Sequence, residues 1–254
     1  MPNQPQIAVI TPTGLRPKRR RYLTDLYESL LAQDVAWEWI IAPNGRQADL
    51  RTIPPAIAAD PRVKICARPD PGAAPARNTA LNYVSAPYLC YADDDDILPA
   101  HSLAVRYHRA VETGLGWVAG MSADLKRNGD LTTWDCATPV GLHDPGEVWT
   151  YWPSPQDGKP PLGHTMLLTR TVIARAYGGH GGLTKGEDYV FVMSITGNAA
   201  GELLPDITYH YRHHRGQWTK QSRYRDKAEY DARTFAWNQG QALREVRHEP
   251  TLIG

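Results

Sequence analysis

The sequence predicts an α/β fold, a mostly parallel central sheet with helices on both faces. Three observations carry that reading. Short apolar runs alternate with stretches of helical periodicity over the first hundred residues. Pro, Gly, Asn and Asp, the residues of turns, close most of these runs. One run leads directly into four consecutive aspartates, Asp93 to Asp96, at the kind of strand end where such sheets gather ligands.

The first strand covers 7–10, Ile-Ala-Val-Ile, and stops at Thr11-Pro12-Thr13-Gly14. A helix follows over 22–33, where Tyr22, Leu23, Leu26, Tyr27, Leu30 and Leu31 recur at the spacing of one helix face. A second strand over 37–42 ends in the turn signal Pro43-Asn44-Gly45. A third, over 63–67, precedes Arg68-Pro69-Asp70-Pro71-Gly72. An Ala-rich helix over 73–84 then leads to the strand at 88–92, entered through Pro87 and closed by the aspartates. Parallel strands present their carboxyl ends along one edge, so Thr11, Asn44, Arg68 and Asp93 are expected to crowd together there.

The second half is less regular. A helix is predicted over 103–113 and a strand over 116–123. Residues 126–161 are rich in Gly, Pro and Trp, and a long irregular stretch in a compact domain reads as a binding loop or lid. Its Trp134, Trp149 and Trp152 either stack on a sugar or aromatic acceptor or anchor the packing. The chain returns to the sheet at 166–168 and turns at Gly178-Gly179-His180-Gly181-Gly182. Glu187-Asp188 open a helix running to Ile195, and a strand over 207–211 leads into the histidine-rich segment 210–214. A charged helical tail covers 220–247, and no internal repeat is present.

A length of 254 residues with 42% hydrophobic content suits one large domain or two small ones. The net charge of +1 excludes a general polyanion binder, so no nucleic-acid partner is expected. The basic run Arg16-Pro17-Lys18-Arg19-Arg20-Arg21 is local, either a solvated loop or a flank of an anionic ligand. No apolar run reaches membrane-spanning length, and the polar opening 1–6 does not read as a signal peptide. Cys66, Cys90 and Cys136 are far apart and odd in number, which suits a reducing compartment and offers no metal-binding spacing. A cytoplasmic location is the expectation.

Side chains alternate on an extended chain, so Asp93 and Asp95 are predicted to point the same way. Adjacent carboxylates disfavour each other's charge, and a divalent cation between them removes that penalty. Oxygen ligands suit Mg²⁺ or Mn²⁺, which keep positions for water and phosphate. The alternatives are a solvated acidic loop, or helix capping by Asp95 or Asp96.

With these motifs in this order, the chain resembles a family 2 glycosyltransferase of GT-A fold from residue 7 to about 218. Ile7-Ala8-Val9-Ile10-Thr11-Pro12-Thr13 is similar to the family's opening strand, whose end contacts the nucleotide. Gly72 with Ala76-Arg77-Asn78 is similar to its glycine and Ala-Arg-Asn helix. Asp93-Asp94-Asp95 stands where the family keeps its DxD motif, and Glu187-Asp188 after a Gly-Gly pair resembles its acceptor-side motif. Tyr211-Arg212-His213-His214 is similar to a Tyr-Arg-x-His element near the domain's end.

The resemblance implies one GT-A domain over 1–218, with a nucleotide-binding half at 1–100, an acceptor-side half at 101–218 and a helical tail at 219–254. It implies a metal-dependent, inverting enzyme that moves a sugar from a nucleoside-diphosphate sugar, a UDP-sugar favoured, to a hydroxyl of a small-molecule or glycan acceptor. Thr11, Pro12, Thr13, Asn44, Arg68, Arg77, Asp93 and Asp94 would contact the nucleotide sugar. Asp93 leans toward the ribose and Asp95 toward a Mn²⁺ or Mg²⁺ ion, with His214 a further metal ligand or a phosphate contact and His210 and His213 its rivals. Asp188 is the candidate general base, with Glu187 beside it; both otherwise cap a helix or complement its dipole. One departure concerns the base. The family's paired aspartates after the second strand are replaced by Pro43-Asn44-Gly45, and Asn44 offers an amide in their place.

Two other classes compete. A sugar-phosphate nucleotidyltransferase usually carries a Gly-rich loop after its first strand, and Thr11-Pro12-Thr13-Gly14-Leu15-Arg16 has one glycine. A non-catalytic sugar-nucleotide-binding module has no need of Glu187-Asp188 beside the aspartate cluster.

Overall fold

The computed structural model describes residues 4–156, 160–177, 179–217 and 226–248, so the expectations on Gly178 and on 218–225 lie outside it. A nine-stranded sheet organises these residues. Strands β1 (Ile7–Thr13), β2 (Trp37–Pro43), β3 (Val63–Ile65) and β4 (Tyr88–Tyr91) lie in the order β3-β2-β1-β4, all parallel. Every residue of β1 and β2 is buried or nearly so, as expected of central parallel strands covered on both faces.

Alternation along β1 divides the core. Ile7 and Val9 pack with Leu23, Leu26 and Leu30 of α1 (Arg20–Leu31) and with Ile57 of the short α2 (Pro55–Ala58). Ala8 and Ile10 face the opposite layer, with Ala76 and Ala80 of α3 (Ala73–Ala80). The helix α4 (Ser102–Thr113) covers the α1 face through Leu103, Ala104 and Ala110.

Beyond β4 the sheet becomes mixed. Strand β5 (Trp117–Leu125) carries the small β6 (Leu131–Thr133) on its far end, while β7 (Gly141–His143) forms an edge. After the short α5 (Glu147–Thr150), β8 (Leu167–Arg170) inserts between β4 and β5, antiparallel to both. The helices α6 (Thr171–Ala176) and α7 (Glu187–Asn198) lead to β9 (Gly201–Arg212), parallel to β5. The parallel arrangement expected from the strand–helix alternation thus holds through β4, where that alternation ends.

Three local expectations are corrected. β1 continues past residue 10, because Thr11, Pro12 and Thr13 pair in register with Ile41, Ala42 and Pro43. The Ala-rich helix breaks at Ala80 into a 3-10 turn, Leu81–Tyr83. The stretch 126–161 holds β6, β7 and α5, and two of its tryptophans are packing anchors. Trp152 is fully buried, and the Trp149 ring lies 5.7 Å from Trp237 of α8 (Lys227–His248).

The helix α8 docks on α7. Ala232 and Ala236 are buried, Tyr189 donates to Glu229 Oε1 at 2.7 Å, and Gln239 donates to Ser194 at 2.8 Å. Gly186, just before α7, has φ +64°, and a Cβ there would stand 2.7 Å from Ala232 Cβ. A side chain at 186 would strain the backbone and push α8 away from the start of α7. Among the described residues no helix is long and apolar enough to cross a membrane. All three cysteines are free, with Cys66 and Cys90 buried.

Candidate functional site

β4 ends at Tyr91, and the aspartates that follow form a turn in which the Asp96 N–H donates to the Asp93 carbonyl at 3.2 Å. The turn ends the alternation of an extended chain, so Asp93 and Asp95 do not share a face. Each carboxylate takes its own direction. Asp93 accepts from Arg77 at 3.0 Å; Asp94 accepts from Thr13 at 2.5 Å and Arg19 at 2.6 Å. Asp95 Oδ2 meets both Arg19 at 2.6 Å and His214 at 2.7 Å. Asp96 is buried and accepts from Tyr209 and from the Arg212 N–H, both at 2.8 Å.

Tyr209 of β9 clamps this turn from inside. Its hydroxyl accepts from the Asp93 N–H at 3.0 Å while donating to Asp96. Burial raises the Asp96 carboxyl well above the ordinary range, with the charges of Asp95 and Asp93 adding to it. Burial also pushes Asp94 up to about 7 against the pull of Arg19. The more open members are Asp93, with a side chain 34% exposed, and Asp95 at 13%.

Of the basic run, only Arg19 turns inward; Arg16, Lys18, Arg20 and Arg21 are exposed. His214 is the one histidine of its segment to reach an aspartate of the turn. Its Nδ1 accepts from the Gly216 N–H at 3.1 Å, so the neutral ring carries its proton on Nε2 and donates to Asp95. The Tyr22 ring packs on it at 4.9 Å. His213 Nε2 lies 3.0 Å from Asp124 Oδ1, and His210 pairs with Ile97 through the backbone. Among the described residues no group of three or more His, Cys, Asp or Glu is arranged to hold a metal. Asp95 and His214 are the residues that could supply ligands to a divalent cation, and here the same Asp95 oxygen is bonded to Arg19.

Arg77 lies buried on α3 between the two halves. Its Nη2 donates to Asp93 at 3.0 Å and its Nη1 to Glu187 of α7 at 2.7 Å. Burial disfavours the cation, but Asp93, Glu187 and Asp188 outweigh it and raise its pKa. Its neighbour Asn78 holds the Gly-rich turn, accepting from the His180 N–H at 2.8 Å and donating to the His180 carbonyl at 2.9 Å.

Glu187 and Asp188 occupy the first turn of α7 but face different partners. Asp188 Oδ2 lies 3.6 Å from His164 Nδ1, and its side chain is 32% exposed. Burial would raise this carboxyl; His164 and Arg77 override it and hold the acid below its ordinary range. Asp188 is therefore a carboxylate at neutral pH, the form a general base needs.

The remaining strand-end residues divide. Thr11 is fully buried and accepts from the Trp39 indole at 2.9 Å, so its hydroxyl serves the core; Pro12 is buried as well. Thr13, two residues on, reaches the aspartates instead. Asn44 bridges to Asp70 through the backbone, and the Gly45 N–H donates to the Asp70 carbonyl at 2.6 Å. Arg68 is exposed in the loop after β3. Sequence reasoning named Arg19 only as one of five basic residues in a run beside a possible anionic ligand, and passed over Asp70, His164 and Tyr209. Tyr209 is one of two tyrosines that flank His210 in the strand.

The profile of the family described as Glycosyl transferase family 2 matches residues 8–136, half of the chain. Among solved structures the chain is similar to S. aureus TarS 1–349 in complex with UDP-GlcNAc, at 18% identity and a TM-score of 0.68, over 85% of this chain and 61% of that one. TarS 1–349 alone aligns with a TM-score of 0.64 at 18% identity, over 82% of this chain and 60% of that one. The longer S. aureus TarS chain aligns at 18% identity and 0.63, over 82% of this chain and 37% of that one. The chain thus spans about three-fifths of the length of TarS 1–349. No curated protein matches. The likeness shows the fold, which is of the GT-A type.

Proposed function

The chain belongs to glycosyl transferase family 2, and from that premise we propose that it transfers a sugar from a UDP-sugar to an acceptor hydroxyl with inversion at the anomeric carbon. The observation that carries this reading is the bridge across Arg77, which sets Asp93 on one nitrogen and Glu187, neighbour of Asp188, on another. A nucleotide-side carboxylate and an ionised acceptor-side carboxylate thereby flank one buried cation.

In this reading Asn44 and Asp70, side by side at the ends of β2 and β3, meet the nucleobase, and Asp93 meets the ribose. Uridine is favoured because TarS is seen with UDP-GlcNAc. Asp95 and His214 would hold Mn²⁺ or Mg²⁺, which would neutralise charge on the departing diphosphate. Arg19, bonded to both Asp94 and Asp95, would add a fixed positive charge at the same turn. Asp188 removes the acceptor hydroxyl's proton as that oxygen bonds to the anomeric carbon and the bond to the diphosphate breaks on the opposite face. Glu187 keeps Arg77 in place.

Calorimetry of UDP binding with and without Mn²⁺, together with a transfer assay, tests this. Asp188→Asn should abolish transfer and leave UDP affinity within about twofold, because only the base is lost. Asp95→Ala should remove the Mn²⁺ dependence of UDP binding. Wild-type turnover by Asp188→Asn would remove it as the base, and pyrophosphate release from a nucleoside triphosphate and a sugar phosphate would favour the nucleotidyltransferase.

A further inference from the structure

Behind Asp188 lies a group of buried polar atoms that the transfer step leaves unused. His164, on the 3-10 turn His164–Met166, is 8% exposed, and its Nδ1 is the nitrogen 3.6 Å from Asp188 Oδ2. Among the described residues its Nε2 has no hydrogen-bond partner, nor do either ring nitrogen of His180 or the hydroxyl of Tyr91. The three rings touch: His164 and His180 have centroids 5.7 Å apart, Tyr91 and His180 4.5 Å, and Tyr91 and His164 6.1 Å. Phe191 stacks on His180 at 4.5 Å and meets Tyr91 edge-on at 5.2 Å. Buried polar groups are rarely left without partners, so their concentration behind Asp188 stands out.

The exposed end of this group is Asp188. The charged and titratable groups acting on it are Arg77 from α3 and His164 from the 3-10 turn, while its neighbour Glu187 pairs with Arg77. Arg77 is already committed to Asp93 and Glu187. His180 stands behind His164 and is held neutral by burial and by the nearby Arg77 charge. His164 is thus the group in a position to donate to Asp188 Oδ2. The 3.6 Å gap exceeds a hydrogen bond, but catalytic hydrogen bonds often tighten only when substrate binds.

We propose that His164 is the positioning residue of the base: its Nδ1–H holds Asp188 Oδ2, so that Oδ1 faces the acceptor hydroxyl. The inference rests on Asp188 being the base. A carboxylate held by one oxygen presents the other in a single orientation, and the donated proton keeps it ionised at lower pH.

The test compares His164→Phe, His164→Asn and His164→Gln by transfer kinetics across pH. Asn places an amide N–H near the Nδ1 position, whereas Gln carries it about one methylene further. His164→Phe should lower kcat by about tenfold or more and move the acidic limb of kcat/KM up by about one pH unit, with the UDP Kd unchanged. His164→Asn should recover more of kcat and of the pH profile than His164→Gln. Should the Phe variant fail to fold, the Asn and Gln pair carries the test alone. Coincident pH profiles for wild type and His164→Phe, or equal losses in Asn and Gln, overturn the role. An inactive Asp188→Asn alongside an unaffected His164→Phe sinks only the inference about His164. An active Asp188→Asn removes the base and this role together.

Discussion

In the half of the molecule up to β4, site residues stand side by side at the ends of parallel strands: Thr13 closing β1, Asn44 after β2, Asp70 beyond β3 and the aspartate turn after β4. In the half beyond it, they arrive from unlike places: His164 from a 3-10 turn, Asp188 from the first turn of a helix, Tyr209 from within a strand and His214 just after one. The first half repeats one strand–helix unit, so one local rule positions these strand-end residues, while Arg19 and Arg77 reach them from a 3-10 turn and a helix. In the second half each position depends on a contact with something distant in sequence. Arg77 and Glu187 are 110 residues apart, and His214 and Asp95 are 119 apart. Motif position in a repeating unit therefore carries over to the site directly, and motif position outside one does not.

Breaking the link between the halves should have the largest effect. Arg77→Met leaves Asp93 and Glu187 facing each other around a buried apolar side chain. The expected loss is about 3–5 kcal/mol in denaturant unfolding, the scale of removing one partner from a buried charge network. A loss under about 1 kcal/mol, the scale of an exposed pair, would mean that the halves are joined mainly elsewhere.

A smaller effect is expected where the second half supports the first. Tyr209→Phe removes the hydroxyl that serves both Asp93 and Asp96, leaving a buried carboxyl short of a partner. Unfolding should shift by about 2 kcal/mol, and UDP affinity should fall because the turn loosens. Unchanged stability and affinity would show that the turn holds its shape unaided.

The smallest effect belongs to a contact wholly inside the first half. Burial opposes the charge of Glu38, yet Lys64 at 2.6 Å, the Ser85 hydroxyl and the N–H groups of Ser85 and Ala86 hold its pKa below the usual range. The folded state thus takes up this proton less readily than the unfolded chain. Its stabilisation is present above the ordinary glutamate range and is lost as pH falls through it. Glu38→Gln keeps the backbone bonds, loses the Lys64 pair and should cost about 1 kcal/mol at neutral pH, Lys64 being partly exposed. Its stability should also fall less steeply with acid. An acid limb parallel to wild type would place the pH dependence in other carboxylates.

Much of this was legible because it was local. The apolar runs and their turn residues locate β1, β2 and β4, and the order of motifs singles out Asp93 to Asp96, Arg77 and Glu187-Asp188. The lower legibility of the rest has physical causes. Thr11 and Thr13 are the same residue on the same face, and only the extra length of β1 places one in the core and the other beside Asp94. The expectation that Asp93 and Asp95 share a face assumed an extended chain, and one backbone hydrogen bond from Asp96 to Asp93 removed the assumption. His164 carries no motif, since its meaning lies in a side chain 24 residues later in the sequence.

By itself, the amino-acid order determined the strand–helix alternation, the edge where ligands gather and the residue types gathered there, because periodicity and turn chemistry act over a few residues. Which carboxylate meets Arg19, which histidine meets Asp95 and what stands behind Asp188 were decided only by the tertiary structure. Those choices depend on side chains brought together from 24 to 119 residues apart, or through a turn whose direction no short-range rule specifies.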